Sequence, residues 1–195
     1  MVPLEHWGDQ MKQRLVDGTI ELIQKKGFTF TISELAKQLA ISKRTVYEHF
    51  SSKDELISEV INQFISQIKA TEKEIAEHPT LDLLEKIKQI LIFIPKDFEL
   101  MDIRLLAELK KHHFHQWKIL DKFFNEEWAI VLSLMERGIA EGSIKPIPLP
   151  LFIELYLGAI NQIYDPKFLN KNQVSMVEML QSTMGILLYG ISNTK

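Results

Sequence analysis

The sequence predicts an all-α protein, and three observations carry that reading. Glycine and proline are scarce, 8 and 7 in 195 residues, and they stand at punctuation points: Gly27, Pro79, Pro95, Gly142, Pro146, Pro148, Pro150 and Pro166. Between them, apolar residues recur at the three-and-four spacing of a helix face rather than in strand alternation. Start and stop signals for helices stand near the ends of several of these segments.

Taken in order, a first helix over about residues 7 to 26 places Trp7, Met11, Leu15, Leu22 and Ile23 on one side. It ends on Lys25-Lys26-Gly27, cations against the negative end of the helix dipole and a C-cap glycine. Two short helices follow, about 33 to 39 and 43 to 50. A long one runs from Lys53 toward His78 with Leu56, Val60, Ile61, Phe64 and Ile68 in a stripe. His78-Pro79-Thr80 stops it, and LDLLEKIKQILIFI reads as the next helix. Further helices are expected over 97 to 111, 114 to 141, 149 to 164 and 173 to 191. No repeat, low-complexity stretch or long linker interrupts them.

Composition excludes several classes. A net charge of −3 rules out a broadly basic nucleic-acid coat, so any DNA contact must be local. The absence of cysteine removes disulfides, thiolate zinc sites, iron–sulfur clusters and cysteine nucleophiles, and fits a reducing cytoplasm. MVPLEHWGDQ lacks a basic residue ahead of an apolar run, so no secretory signal is read. The apolar stretches are broken by Lys and fall short of the ~20 residues that cross a bilayer, so no membrane partner is expected. No phosphate-binding glycine loop, nucleophile motif or metalloprotease spacing is found, and the protein is read as a non-enzyme without cofactor.

The most informative stretch is TISELAKQLAISKRTVYEHFSSKDEL, residues 31 to 56. Thr31 with Glu34 has capping-box spacing, Ser42 can cap the next helix, and Ser52 with Glu55 repeats the box at the long helix. Leu35, Ala36 and Leu39 face Ile41 and Val46, the apolar inner surface of a helix-turn-helix with a small residue at the close approach. Lys43, Arg44, Thr45, Tyr47 and Glu48 are left outward. On a recognition helix, Arg44 can read guanine bidentately, Thr45 can touch a thymine methyl, and Lys43 and the Tyr47 hydroxyl can hold phosphates. A lone Lys-Arg pair on a short amphipathic helix is usually just a solvated face, and in isolation that reading would win. The three caps, Ala36, the Tyr47-x-x-Phe50-x-x-Lys53 spacing and the local excess of Lys37, Lys43, Arg44 and Lys53 over Glu48 favour DNA. His49, beside Phe50, reads as a packing residue.

Over residues 11 to 60 the sequence resembles the TetR family of one-component bacterial regulators. That family's motif runs Thr-hydrophobic-x-x-Ile-Ala, a glycine turn, Val-Ser-x-x-x-hydrophobic-Tyr-x-His/Tyr-Phe-x-x-Lys-x-x-Leu. Thr31-Ile32, Leu35-Ala36, Ile41-Ser42, Tyr47, His49, Phe50, Lys53 and Leu56 fill it here. Ala40 replaces the turn glycine, and Gly18-Thr19 stand where two alanines are usual. A left-handed Ala40 costs about 1 kcal/mol. The resemblance implies phosphate contacts from Thr31, Tyr47 and Lys53, with Lys43, Arg44 and Thr45 on the recognition helix. Thr31, Ser42, Lys43, Arg44, Thr45, Tyr47 and Lys53 are thus the residues expected at the DNA. It also implies a DNA-binding domain over 1–52 and a ligand-sensing and dimerisation domain over 53–195. Such a protein is a cytoplasmic repressor that binds a near-palindromic operator as a homodimer and is released by a small-molecule effector.

The remainder is rich in apolar and aromatic residues, most of which must be core. Phe98, Met101, His113, Trp117 and Tyr156 combine apolar bodies with polar tips or adaptability and are the candidates for an effector pocket. Glu108, His112 and His115 share a helix face, but with no fourth ligand visible an exposed helix end explains them better than a metal site. The last two helices carry Phe152, Leu155, Tyr156, Ala159, Ile160 and Ile163, then Val177, Leu180, Met184, Leu187, Leu188 and Ile191. By resemblance they pair with their copies in a second protomer, and small Gly158, Ala159, Ser182 and Gly185 permit close crossing; an intrachain core predicts the same apolarity. Two rival functions remain: a helical protein-interaction module without DNA affinity, against which Lys43, Arg44, Tyr47 and Lys53 argue, and a helical enzyme.

Overall fold

The structure, a computed structural model, describes residues 4–99, 104–163 and 176–191. These residues form helices and no strand. The order is α1 Leu4–Lys26, a 3-10 turn Gly27–Thr29, α2 Ile32–Gln38, α3 Lys43–His49, α4 Lys53–Glu77 and α5 Leu83–Ile92. Then come α6 Lys96–Glu99, α7 Arg104–His112, α8 Phe114–Glu126, α9 Ala129–Ala140, α10 Leu149–Ile163 and α11 Met176–Ile191. The chain packs as two units, Met1–Ile65 with Lys96–Asp121, and Ser66–Pro95 with Lys122–Lys195.

Where the sequence predicts one helix over 114 to 141, the structure has two, because the chain turns at Trp128. Its backbone leaves the helical region (φ −109, ψ 2) and its indole Nε1 donates to the Phe124 carbonyl at 2.9 Å. No glycine or proline marks this break. The ring instead stands edge-on to Tyr156, with centroids 5.6 Å apart. The helix expected over 97 to 111 appears as α6 and α7, and the residues between them, Met101 included, lie outside the described ones.

The first unit is built on α1. Leu15, Ile23, Leu35, Val46, Leu56 and Ile57 are fully buried, so α1, α2, α3 and the start of α4 share one core. Gly18 is the contact point between α1 and α2: a Cβ there would lie 3.1 Å from Leu39 Cδ2 and 3.2 Å from Leu35 Cδ1. Thr19 is buried beside it, and its hydroxyl donates to the Leu15 carbonyl at 2.7 Å, which satisfies the polar group inside its own helix.

The second unit packs Ile87, Ile90 and Leu91 of α5 against Val131, Leu134 and Met135 of α9, with Phe152 of α10 and Met184 and Leu188 of α11. Asp82 caps α5 by accepting from Glu85 N at 2.8 Å. Two further polar contacts tie it to other elements. The Tyr156 hydroxyl donates to the Leu91 carbonyl at 2.6 Å, and the buried Lys86 ammonium donates to the Ala76 carbonyl at 2.8 Å. Each apolar or charged side chain thus keeps its polar tip paired, as burial requires. Among the described residues no helix is long and apolar enough to cross a membrane.

Candidate nucleic-acid interface

The surface carried by α2 and α3 is assembled by local caps. At α2, Thr31 Oγ1 accepts from Glu34 N at 3.2 Å and Glu34 Oε2 accepts from Thr31 N at 2.8 Å, the full capping box. The Lys26 ammonium also donates to the other oxygen of Glu34. That cation foremost, and the Thr31 amide and hydroxyl next, hold the Glu34 carboxyl down at about 2. At α3, Ser42 Oγ accepts from Thr45 N at 3.0 Å. At α4, Ser52 Oγ accepts from Glu55 N at 3.1 Å, but Glu55 reaches back to Ser51 N at 2.6 Å rather than to Ser52. The box expected there is therefore displaced by one residue in its second arm.

The turn between α2 and α3 closes as a Schellman motif. Ile41 N donates to the Ala36 carbonyl at 2.9 Å and Ala40 N to the Lys37 carbonyl at 3.2 Å. This geometry places Ala40 in the left-handed region at φ 53, the conformation its replacement of glycine implies. With the turn so fixed, Val46 and Phe50 are buried, as are Leu35 and Ala36, while Ser42, Lys43, Arg44, Tyr47 and Glu48 are exposed. Tyr47 is 52% exposed, far more than a ring of that size keeps when its role is packing. His49 is half-buried behind them, and Thr45, also half-buried, has its hydroxyl 3.0 Å from Ser42 Oγ.

Lys53 is less free than the sequence suggests. Its ammonium donates to the Phe28 carbonyl and lies 4.4 Å from the centroid of the Phe30 ring, and burial there pushes its pKa down. Three donors on one ammonium leave capacity for a further acceptor. Around it lies a set of supports that no periodicity announces. Glu108 of α7 accepts from Phe28 N at 3.4 Å, the ring of His113 stands 5.4 Å from that of Phe28, and His113 Nδ1 is 2.9 Å from Asp54 Oδ1. Gln116 of α8 donates to the Asp54 carbonyl at 3.3 Å. Gly27 permits this arrangement: it sits at φ 65, and a Cβ would come 2.8 Å from Glu108 Oε2. Apart from the chemistry of Gly27 as a helix stop, these partners are 59 to 85 residues apart in sequence and carry no local signal.

A surface of exposed Lys43, Arg44 and Tyr47 on a rigid short helix, backed by apolar residues and set by caps, matches a DNA-reading helix-turn-helix in both shape and chemistry. Residues 15–60 match the model of the bacterial regulatory proteins of the tetR family. An HTH-type transcriptional regulator of Bacillus subtilis, YvaF, is 44% identical over 182 residues, covering 93% of this chain and 96% of its own. The chain belongs to the TetR family. It is accordingly a DNA-binding transcriptional regulator. Its fold is shared with a TetR/AcrR-family regulator of Thermobifida fusca (TM-score 0.70, 20% identity, 93% of this chain and 98% of that one). It is shared too with FadR of Bacillus subtilis, solved in complex with stearoyl-CoA (TM-score 0.64, 22% identity, 92% and 98%).

The residues expected at an effector pocket fall in both units. Phe98 packs edge-on to Phe64 with centroids 4.8 Å apart, Trp117 lies beneath the Lys110 ammonium at 5.2 Å, and His113 serves Asp54, all in the first unit. Tyr156 belongs to the second. An open groove of about 1060 Å³ in the second unit is lined instead by residues including Leu81, Lys88, Arg137, Glu141, Gln181 and Tyr189. Glu108, His112 and His115 do not form a metal-holding group among the described residues.

Proposed function

We propose that this TetR-family regulator is a cytoplasmic, non-enzymatic repressor that binds a near-palindromic operator as a homodimer and leaves it when a small molecule binds. The observation that carries the reading is the outward presentation of Lys43, Arg44 and Tyr47 on α3 over a buried Val46 and Phe50. In this scheme residues 1–52 are the DNA-binding part and 53–195 the sensing and dimerisation part. Thr31, Tyr47 and Lys53 hold phosphates, Ser42 sets the start of α3, and Arg44 and Thr45 meet bases. One such helix reads few base pairs, so two copies on symmetric half-sites are needed.

The second copy docks on α10 and α11. Leu151 and Leu155 are 54% and 53% exposed, one turn apart on α10, and Ile186 and Tyr189 are 75% and 83% exposed on α11. Gly158 and Gly185 have open space where a Cβ would stand, which suits close helix crossing. Exposed apolar side chains in such a row mark a contact surface. Sedimentation at micromolar concentration should give a dimer, and Ile186→Glu with Tyr189→Glu a monomer of much weaker operator affinity.

The effector is sought among apolar molecules with one polar end. FadR's complex with stearoyl-CoA makes a long-chain acyl-CoA the first compound to try. Phe98, His113, Trp117 and Tyr156 are the positions to vary. The signal travels along α4, one helix from Lys53 to Glu77 whose start carries the DNA clamp. A hundredfold release needs about 2.7 kcal/mol of coupling, and by linkage operator DNA must weaken the effector by the same factor. The decisive experiment is selection from a random DNA pool. Enrichment of a near-palindrome whose preference changes in Arg44→Ala supports the reading, and no enrichment with wild-type protein refutes it.

A further inference from the structure

Arg44 and Glu48 lie one turn apart on α3, both outward, and Arg44 Nε donates to Glu48 Oε1 at 3.1 Å. Arg44 is otherwise untethered among the described residues, its side chain 89% exposed. A carboxylate on the helix that enters the groove opposes phosphate, so Glu48 works against non-specific affinity and calls for a compensating role. The bond supplies one. A guanidinium presents two forks: Nε with one terminal nitrogen, and the two terminal nitrogens together. With Nε taken by Glu48, the terminal pair stays open and points along the side chain, the geometry that meets O6 and N7 of a guanine.

We infer that Glu48 is a positioning residue that holds the Arg44 guanidinium by Nε so that its terminal nitrogens read a guanine in each half-site. The inference rests on the DNA-binding reading above and names the base that α3 selects. In water the pair is weak, because two long side chains must be ordered and solvent screens them. Inside the groove water is displaced and the same bond is stronger, and a guanidinium already aimed has less freedom to lose on binding. Glu48 thereby exchanges general affinity for discrimination.

The test is selection from a random DNA pool with the full chain: wild type, Glu48→Ala, Glu48→Gln, Arg44→Ala and the double variant Arg44→Ala/Glu48→Ala. Wild type should enrich a guanine at one position per half-site, and Arg44→Ala should lose it. Glu48→Ala should weaken that guanine preference about tenfold, within what a bidentate Arg–guanine pair discriminates, while binding to unrelated DNA tightens. Glu48→Gln should restore most of the preference, since its amide oxygen still accepts from Nε. In the double variant, base preference should match Arg44→Ala alone. An unchanged guanine preference in Glu48→Ala makes Glu48 a solvated side chain and overturns the inference while leaving the DNA-binding reading intact. Loss of a cytosine preference in the double variant beyond Arg44→Ala makes Glu48 a base reader itself and also overturns it. A wild-type site without an Arg44-dependent guanine overturns it as well, and no enrichment at all removes both readings.

Discussion

Between Thr31 and Leu56 each helix begins with a side chain that caps its own amides, from Thr31, Ser42 and Ser52, with partners no more than four residues away. The second unit has local caps too, as at Asp82, but it is also tied across the chain, as where the Tyr156 hydroxyl donates to the Leu91 carbonyl 65 residues away. The first arrangement fixes helix starts, and with them a small surface, through neighbouring side chains. The second holds helices by shared apolar packing, which tolerates many sequences of similar volume. Precision is local along α2 and α3, and distributed where the helices of the second unit are held together.

This contrast sets the order of expected effects. The largest belongs to the core of the second unit: Met135→Ala, at a fully buried site among α5 and α11, should cost about 2–5 kcal/mol in urea unfolding. A loss below 1 kcal/mol would show that the packing described for this unit does not hold it. Next comes Gly27→Ala, where the left-handed backbone alone costs about 1–2 kcal/mol and the Cβ displaces Glu108. It should lower both thermal stability and operator affinity, because Phe28 and Lys53 move with the turn. Affinity unchanged in a destabilised Gly27→Ala would separate the clamp from DNA binding.

Ser42→Ala should cost about 1 kcal/mol, the usual worth of an N-cap, and loosen α3 without touching the core. Ala40→Gly should act in the opposite direction, gaining up to about 1 kcal/mol by relieving the left-handed alanine. A destabilised Ala40→Gly would contradict the Schellman geometry assigned to this turn.

The smallest effect is one of pH. Glu34 has a depressed carboxyl pKa, so its contribution is present above its ordinary 4.5 and is lost as pH falls from there to about 2. Wild type should therefore exceed Glu34→Gln in midpoint at neutral pH, and the gap should close across that window. A gap independent of pH would mean that shape rather than charge makes the contact with Lys26.

Legibility followed the same division. The caps at Thr31 and Ser42, the inward Leu35, Ala36 and Val46 and the left-handed Ala40 could all be read from neighbouring residues, because each depends on spacings of a few positions. The break at Trp128 could not, since no glycine or proline marks it and the indole's contacts, the Phe124 carbonyl and the distant Tyr156 ring, carry no turn signal. Nor could the clamp of Glu108, His113 and Gln116 around Phe28 and Asp54, which exists only once α7 and α8 are folded against the turn. The groove lined by Leu81, Arg137 and Tyr189 escaped for the same reason. The exposed row on α10 and α11 was visible as apolarity but not as exposure, which periodicity alone does not separate from an intrachain core.

The central claim is that α3 meets DNA with Lys43 against phosphate and Arg44 against a base, and the salt dependence of operator binding measures it most directly. For the enriched operator, the slope of log affinity against log salt should fall by about one unit per protomer in Lys43→Ala, with sequence preference retained. In Arg44→Ala the preference itself should change. A Lys43→Ala protein that keeps the wild-type slope and affinity would contradict the claim that this face of α3 lies on the DNA.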